Sequence, residues 1–305
     1  MYNTLIKARS WLELSRVPFH SVGILPFLLG TLLAWKLKGQ FSCQIFSLAL
    51  LAIVLIMLST YHAGEYFDFQ EDKISKHHFN SKFAGGSGII QAGKLPREVP
   101  LLTSIIAFLM SGIIGLILQF YYKTGNYTLI LGCTGALAGF FYSTPPIRLV
   151  EKGFGELFIW FCYGWLPIAI AFYIQTGYIE SFIFWISLPI GISIFNVIFL
   201  NEFLDYEADV ATGKKNLLVR LGKKRGVLLY NILSVTSWLI MFLTIIFLVP
   251  LTALYLYIPI VILSSFIIIM MLKKKYEDVH ILEILAGLNI VVNLGTTASY
   301  ILAFA

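Results

Sequence analysis

Nine apolar runs, each about 20 residues long, recur along this chain, and an apolar run of that length is what a helix needs to cross a bilayer. They fall at roughly 17–36, 42–62, 99–121, 126–145, 154–175, 182–201, 226–248, 251–272 and 281–303. Inside lipid every backbone N–H and C=O must find a partner within the protein. A chain with this pattern is therefore restricted to an all-α integral membrane fold. With 58% apolar and 12% charged residues over 305 positions, no stretch is left to form a soluble domain. The first run lacks the short apolar core and small-residue cleavage site of a signal peptide and is expected to stay.

Charge placement sets an orientation. Counted through nine spans, nineteen of the 22 basic residues fall on the side that holds the N-terminus, Lys7, Arg9 and Arg16 among them. Only Lys36, Lys38 and Lys123 fall on the other side, and Glu180 is the one acid there. The positive-inside rule makes the crowded side cytoplasmic, so a multi-pass protein of the cell membrane with a cytoplasmic N-terminus is expected. The net charge of +6 is thereby a topology signal and implies no nucleic-acid partner. Cys43, Cys133 and Cys162 are far apart, show no metal-ligand spacing, and are expected to pack as small apolar residues.

Two acid pairs stand out from this background. Asp68 and Asp72 lie in HAGEYFDFQED after the second run, and Asp205 and Asp209 lie in NEFLDYEAD after the sixth, 137 residues on. Spacing of four puts both carboxylates of a pair on one helix face, where like charges repel by roughly 0.2–0.5 kcal/mol. A divalent cation reverses that sign. Four carboxylates at the mouth of an apolar bundle point to a metal, and a metal there points to a polyanionic ligand such as a diphosphate. Each motif is followed by a basic, glycine-containing stretch, and the cytoplasmic loops expected to carry the motifs run over about 63–98 and 202–225 within a single domain spanning 1–305. The matched positions predict two related four-helix halves, with the ninth helix added, facing each other across a central cavity.

Asn201-Glu202-Phe203-Leu204-Asp205-Tyr206-Glu207-Ala208-Asp209 matches the N-x-x-x-D-x-x-x-D pattern of the UbiA superfamily of intramembrane prenyltransferases. The continuation at 211–222, and Arg16-Val17-Pro18 before the first helix, are also similar to that family. The first motif departs from it, because Gly64 stands where the family usually has Asn and Glu65 follows. The resemblance covers essentially the whole chain. It implies that a polyprenyl diphosphate lies with its tail in the bilayer-embedded bundle and its diphosphate at the cytoplasmic mouth. It further implies Mg²⁺ held by Asp68, Asp72, Asp205 and Asp209, with Asn201 and, as a compensating ligand, Glu65. Basic residues beside the motifs become candidate diphosphate binders: Arg16, Lys73, Lys82, Arg148, Lys152, Lys214 and Arg220. Positive-inside topology accounts for the same residues without any ligand.

Polar residues at or inside the spans are candidates for the acceptor or cation pocket. They are His62, one turn before the first motif; Tyr142, where the fourth span ends at Pro145 and Pro146; and Asn196, five residues before Asn201. Helix–helix hydrogen bonding is the alternative for Asn196, and the first expectation for Asn289 and Asn293. The glycine cluster at 84–88 reads as a lid or as a source of amides for an anion.

The strings EYFDF at 65–69, GGSGII at 85–90, GFGELF at 153–158 and YIQTG at 173–177 look most like the branch that prenylates 1,4-dihydroxy-2-naphthoate in menaquinone synthesis. The aromatic acceptor itself is invisible to the residue-level reading, and 4-hydroxybenzoate, another quinone precursor or a glyceryl phosphate lipid stays open. A cation or phosphate transporter is the alternative of a different class. Transporters hold ionisable groups near the midplane, whereas all four aspartates here lie at span ends.

Overall fold

The computed structural model describes residues 9–79 and 81–305, and Lys7 of the N-terminal basic group lies outside them. Among the described residues there are helices and no strands. The elements are α1 (Ser21–Lys38), α2 (Cys43–Phe67), α3 (Phe69–His78), α4 (Glu98–Tyr121), α5 (Thr128–Ser143), α6 (Gly155–Thr176), α7 (Ser181–Thr212), α8 (Leu217–Leu221), α9 (Lys223–Phe247), α10 (Thr252–Leu272) and α11 (Val279–Phe304).

Eight of the apolar helices, those other than α5, are long enough to span a bilayer. The ninth, α5, has 16 residues. At 1.5 Å per residue it is about 24 Å long, less than the roughly 30 Å of a hydrocarbon core. Pro145 and Pro146 stop it at one end, and the turn at Thr124–Tyr127 delays it at the other. It still joins the two ends of the bundle. The Tyr127 N–H donates to the Tyr173 hydroxyl at 3.0 Å near its start, and Ser143 donates to Asp68 at its finish. Against the nine expected runs, the described residues thus hold eight helices long enough to span and one shorter apolar helix in the place of the fourth.

Caps fix the helix ends where the sequence changes character. Ser42 accepts from the Ile45 N–H ahead of α2, Asn216 from the Val219 N–H ahead of α8, and Asp278 from the His280 and Ile281 N–H groups ahead of α11. Each side-chain oxygen satisfies donors a helix start leaves orphaned. Lys36 and Lys38 lie in the last turn of α1, and Lys123 lies in the connection between α4 and α5. Lys38 pairs with Glu180, so the one acid set apart by the charge pattern meets one of the three bases set apart with it.

Packing places α1, α2, α5, α6 and α7 around a central cavity. α1 packs on α6 and α11, α2 on α4 and α5, and α7 on α6, α9 and α11. The largest buried apolar cluster joins Leu29 and Leu33 of α1, Ile168 and Phe172 of α6, Ile186 and Ile190 of α7, Met241 of α9 and Tyr300 of α11. Lipid is as apolar as these side chains, so close van der Waals packing has to hold the helices together. Two glycines make that approach possible. A Cβ on Gly30 would lie 2.3 Å from the Ile168 carbonyl oxygen, and one on Gly164 would lie 2.5 Å from the Gly191 Cα. Backbone cannot yield as a side chain can. Gly30→Ala is therefore expected to cost about 1–3 kcal/mol through overpacking, read as a lowered thermal midpoint in detergent. Gly112→Ala, on an α4 face with nothing within 4 Å, is the control. Equal midpoints for the two variants would contradict this account.

Polar side chains inside the bundle mostly tie helices together. The Asn196 amide donates to the Tyr230 carbonyl at 3.3 Å and to Ser234 Oγ at 2.8 Å. Tyr230 donates to Asn289 at 3.0 Å, and Asn293 donates to Ser193 at 2.8 Å. The cysteines differ from expectation: Cys43 and Cys133 are exposed on the outer surface and only Cys162 is partly buried.

Candidate active site

The two acid motifs meet at one end of the bundle by different local routes. α7 runs on without interruption to Thr212, beyond the expected end near 201, so Asp205 and Asp209 share a continuous helix face. The first motif is not a single helix. Asp68 closes α2 and opens α3, with φ −91 and ψ 14. The Asp72 N–H still donates to the Asp68 carbonyl at 2.9 Å, so the kink keeps Asp72 on the side of Asp68 while α3 turns away. α3 then packs against α7, and Ser75 donates to Asp205, linking the motifs.

The cavity between them has a volume of about 220 Å³. Six carboxyl groups line it, those of Glu65, Asp68, Asp72, Glu202, Asp205 and Asp209, against two cations, Arg16 and Lys214. Asp68 accepts from Ser143 and, at 3.1 Å, from Arg148 Nη2. The same nitrogen lies 3.0 Å from both Glu71 and Glu151, so Arg148 gathers three carboxylates on the rim. Asp209 takes the Asn216 amide at 2.7 Å and Lys214 Nζ at 3.2 Å. Arg16 and Arg148 both hold left-handed backbones, with φ 49 and 44, a conformation that costs a non-glycine residue about 1–3 kcal/mol and collects at functional sites.

Burial pushes the Asp68 carboxyl up to about 6, with Lys214, Ser143 and Arg148 pulling it back. Burial also lifts Asp72 well above the usual carboxylate range, reinforced by Asp68, Glu65 and Asp205 and opposed by Arg16. For Lys214 burial acts downward, but Asp209, Asp68 and Asp205 outweigh it and the ammonium sits above its ordinary range. These directions have one source. Carboxylates are crowded into a low-dielectric space with too little positive charge.

A divalent cation fits this donor set. Among the described residues no three His, Cys, Asp or Glu side chains form a ready cage. Mg²⁺ does not need one, since it binds through one or two carboxylates together with phosphate oxygens and waters. Asn201 lines the cavity with a buried Oδ1 that has no hydrogen-bond partner, a neutral oxygen donor suited to a cation or a ligand hydroxyl.

The other candidates are placed as follows. Arg16, Lys214 and Tyr142 line the cavity, and Arg148 is bound to Asp68 at its edge. Glu65 lines it too, but its two oxygens accept from the Ser87 N–H at 2.6 Å and the Ser87 hydroxyl at 2.8 Å. It anchors the glycine loop to α2, and the Ser87 amide is thereby used internally instead of facing an anion. Lys73, Lys82, Lys152 and Arg220 are exposed and outside the cavity lining. The Lys82 N–H donates to Glu283, and Arg220 donates to the Lys215 and Lys152 carbonyls. His62 and Asn196 are not in the cavity wall. The His62 ring sits 2.6 Å from Thr103 and 3.3 Å from Ser15, bridging α2 to its neighbours, and Asn196 joins α7 to α9 as described.

Several wall residues carried no distinct sequence signal: Phe19, Thr60, Tyr61, Phe83, Ser143, Tyr163 and Asn216. Glu202 did have one, an acid next to Asn201 inside the second motif. It takes the Leu218 N–H at 3.3 Å, and buried Glu156 takes the Leu217 N–H at 3.0 Å. Together they seat the start of α8 and so the Lys214–Asn216 turn.

Similarity to known proteins points to one family. A sequence model described as the UbiA prenyltransferase family matches residues 23–282. The 2-carboxy-1,4-naphthoquinone phytyltransferase of Synechocystis is 29% identical over 232 residues, covering 75% of this chain and 72% of that protein. The 1,4-dihydroxy-2-naphthoate octaprenyltransferase of Bacillus subtilis is 28% identical over 219 residues, covering 71% and 67%. Among solved structures, a UbiA homolog from Archaeoglobus fulgidus bound to DMAPP and Mg²⁺ superposes with a TM-score of 0.61 at 16% identity, over 95% of this chain and 99% of that one.

Proposed function

The chain belongs to the UbiA prenyltransferase family, and on that premise we propose that it transfers a polyprenyl group from an allylic diphosphate to 1,4-dihydroxy-2-naphthoate, with Mg²⁺ and at the cytoplasmic face of the cell membrane. That it is a membrane-embedded prenyltransferase follows from the family and from its naphthoate-prenylating relatives. The transporter alternative falls with that assignment. The observation that carries the metal and diphosphate half of the proposal is the convergence of six carboxyl groups on a cavity lined by two cations.

Asp68, Asp72, Asp205 and Asp209 would hold the metal, with the Asn201 carbonyl oxygen beside them. When bound, Mg²⁺ supplies positive charge to the departing diphosphate. Arg16 and Lys214 face the same space and are the cations able to bind diphosphate oxygens directly. Ser143 and Arg148 orient Asp68, Ser75 orients Asp205, and Asn216 orients Asp209. Phe19, Tyr61, Tyr163 and Phe83 also wall the cavity. Their ring faces attract a developing allylic cation and keep water from it.

In the reaction the allylic C–O bond breaks and its electron pair leaves with the diphosphate. The acceptor ring carbon that bears the carboxylate forms the new C–C bond. The carboxylate then departs as CO₂ and its electron pair restores the aromatic ring. Two supports favour the naphthoate over other acceptors: the strings shared with that branch, and the carboxylated naphthalene named for both relatives.

The test is a membrane assay with Mg²⁺, a labelled long-chain allylic diphosphate and a panel of acceptors. Mass spectrometry is expected to find a prenylated naphthoquinol lighter by CO₂ than the simple adduct. Turnover of 4-hydroxybenzoate or a glyceryl phosphate, with the naphthoate ignored, would overturn the acceptor and leave the metal site standing.

A further inference from the structure

We propose that a small polar cavity between α7, α9, α10 and α11 is a binding site for one water molecule, which donates to Asn196, accepts from Asn289 and so braces the helix that presents the second acid pair. The site is separate from the acid-lined cavity and does not depend on the proposed reaction.

Its walls are polar although the helices are apolar. Ser193 and Asn196 of α7, Ser234 and Ser237 of α9, Ser264 of α10 and Asn289 of α11 line one cavity of about 10 Å³. Each of these side chains is more than nine-tenths buried. Lipid supplies no hydrogen bonds, so donors and acceptors at this depth have to be met from within.

Most of them are met by the protein. Ser193 donates to the Ile190 carbonyl at 2.8 Å, Ser234 to the Tyr230 carbonyl at 2.9 Å and Ser237 to the Pro189 carbonyl at 3.2 Å. A hydroxyl has one proton, so none of the three is left to donate into the cavity. Ser264 accepts from the Trp238 indole N–H at 3.2 Å. Two amide atoms remain. Asn196 donates through Nδ2 to Tyr230 and Ser234, and its Oδ1 has no partner among the described residues. Asn289 accepts through Oδ1 from the Tyr230 hydroxyl, and its Nδ2 has no partner among them either. One cavity is thus walled by a spare acceptor and a spare donor that do not bond each other. A buried polar atom left in that state costs its full desolvation penalty.

Water answers both atoms at once. It donates to Asn196 Oδ1, accepts from Asn289 Nδ2 and has a second proton for a serine lone pair, which makes the roughly three bonds usual for a buried water. The cavity also matches in size, since one water needs roughly 10–15 Å³. A hydrocarbon chain is too large for it. A metal cation would find no carboxylate on this wall and would be opposed by the Asn289 N–H. Asn196 precedes Asn201 by five residues, about 8 Å along the axis of α7. The water therefore ties α7 to α11 just below the second acid motif.

The experiment has two arms. A density map of the wild-type protein in a nanodisc, fine enough to show ordered waters, should hold a peak roughly 2.6–3.2 Å from both Asn196 Oδ1 and Asn289 Nδ2. The peak should stay when sodium and potassium are replaced by choline. The second arm reads thermal midpoints. Val292 lines the same cavity, and Val292→Ile adds one methylene to it. That displaces the water and strands both amide atoms, so the midpoint should fall by about 2–4 °C. In an Asn196→Leu background the acceptor is already gone, and the same substitution should cost about half as much or less. A map that shows other buried waters and no peak here overturns the site. So does a peak lost in choline, which would be a cation. A midpoint raised by Val292→Ile would mean a dry cavity filled, and an equal fall in both backgrounds would mean overpacking alone; either result overturns the water. Should Asn196→Leu fail to fold, the wild-type map still decides.

Discussion

Asp68→Asn, Asp72→Asn, Asp205→Asn and Asp209→Asn should each lower turnover by roughly 10²–10³-fold or more, the size of effect seen when one preorganised electrostatic contact to a reacting group is removed. Asparagine is the sharper substitution here, since it keeps the volume and one oxygen of the side chain. At Asp205 that oxygen can still accept from Ser75, and at Asp68 from Ser143. What is lost is charge. Removing a carboxylate from a crowded set also relieves repulsion, most of all at Asp72, whose ionisation is opposed by burial and by three neighbouring acids. Thermal midpoints without metal should consequently hold or rise while turnover falls. A purely structural role would move the two together in the opposite sense. EDTA should stop the wild-type reaction and Mg²⁺ restore it, and each variant should need more Mg²⁺ for its residual rate. Wild-type-like turnover by Asp205→Asn or Asp68→Asn would sink the carboxylate mechanism.

The bundle was legible in the sequence because the bilayer constrains composition residue by residue. Long apolar runs, alternating charge and Pro or Gly at the ends leave few other arrangements. The short α5 escaped because hydropathy over 126–145 does not reveal where the turn before Thr128 finishes. The acid motifs were legible because ionised groups are rare at such positions and come here in equal spacing. A polar residue within a span is a different matter. Asn196 and Asn201 look alike in one dimension, yet Asn196 donates to Tyr230 and Ser234 on α9 while the Asn201 carbonyl opens on the cavity. Helical phase alone does not tell a cavity from a neighbouring helix. The same holds for basic residues. Lys214 and Lys73 obey one topology rule, but only Lys214 is turned inward, by a turn that Asn216 caps and that Glu156 and Glu202 seat. The wall tyrosines, among 16 in the chain, carry no mark of their own until the helices are assembled.

Gly86→Ala should lower turnover by about tenfold to a hundredfold, a loss of the order produced when a reacting group is misplaced by about 1 Å. Gly86 has φ +65, and a Cβ there would lie 2.3 Å from Asp72 Oδ2 and 3.4 Å from Glu65 Oε1. The loop cannot simply retreat, because the next residue, Ser87, is bound twice to Glu65. Asp72 must move, or the loop must give up its hold on α2. Backbone strain accompanies any such change, since an alanine in the left-handed region costs roughly 1–2 kcal/mol. Gly88→Ala separates the two effects. Its φ of +75 imposes the same strain, but its Cβ would meet only Lys76 Cε at 3.6 Å, an ordinary contact. Both variants should lose similar thermal stability. Only Gly86→Ala should lose turnover and require more Mg²⁺ for half-maximal rate. If Gly88→Ala falls as far in turnover, the loop matters through its flexibility and the close approach of Gly86 to Asp72 is incidental. If Gly86→Ala keeps both its rate and its Mg²⁺ requirement, Asp72 does not depend on its present position, and its place among the metal-holding carboxylates is lost.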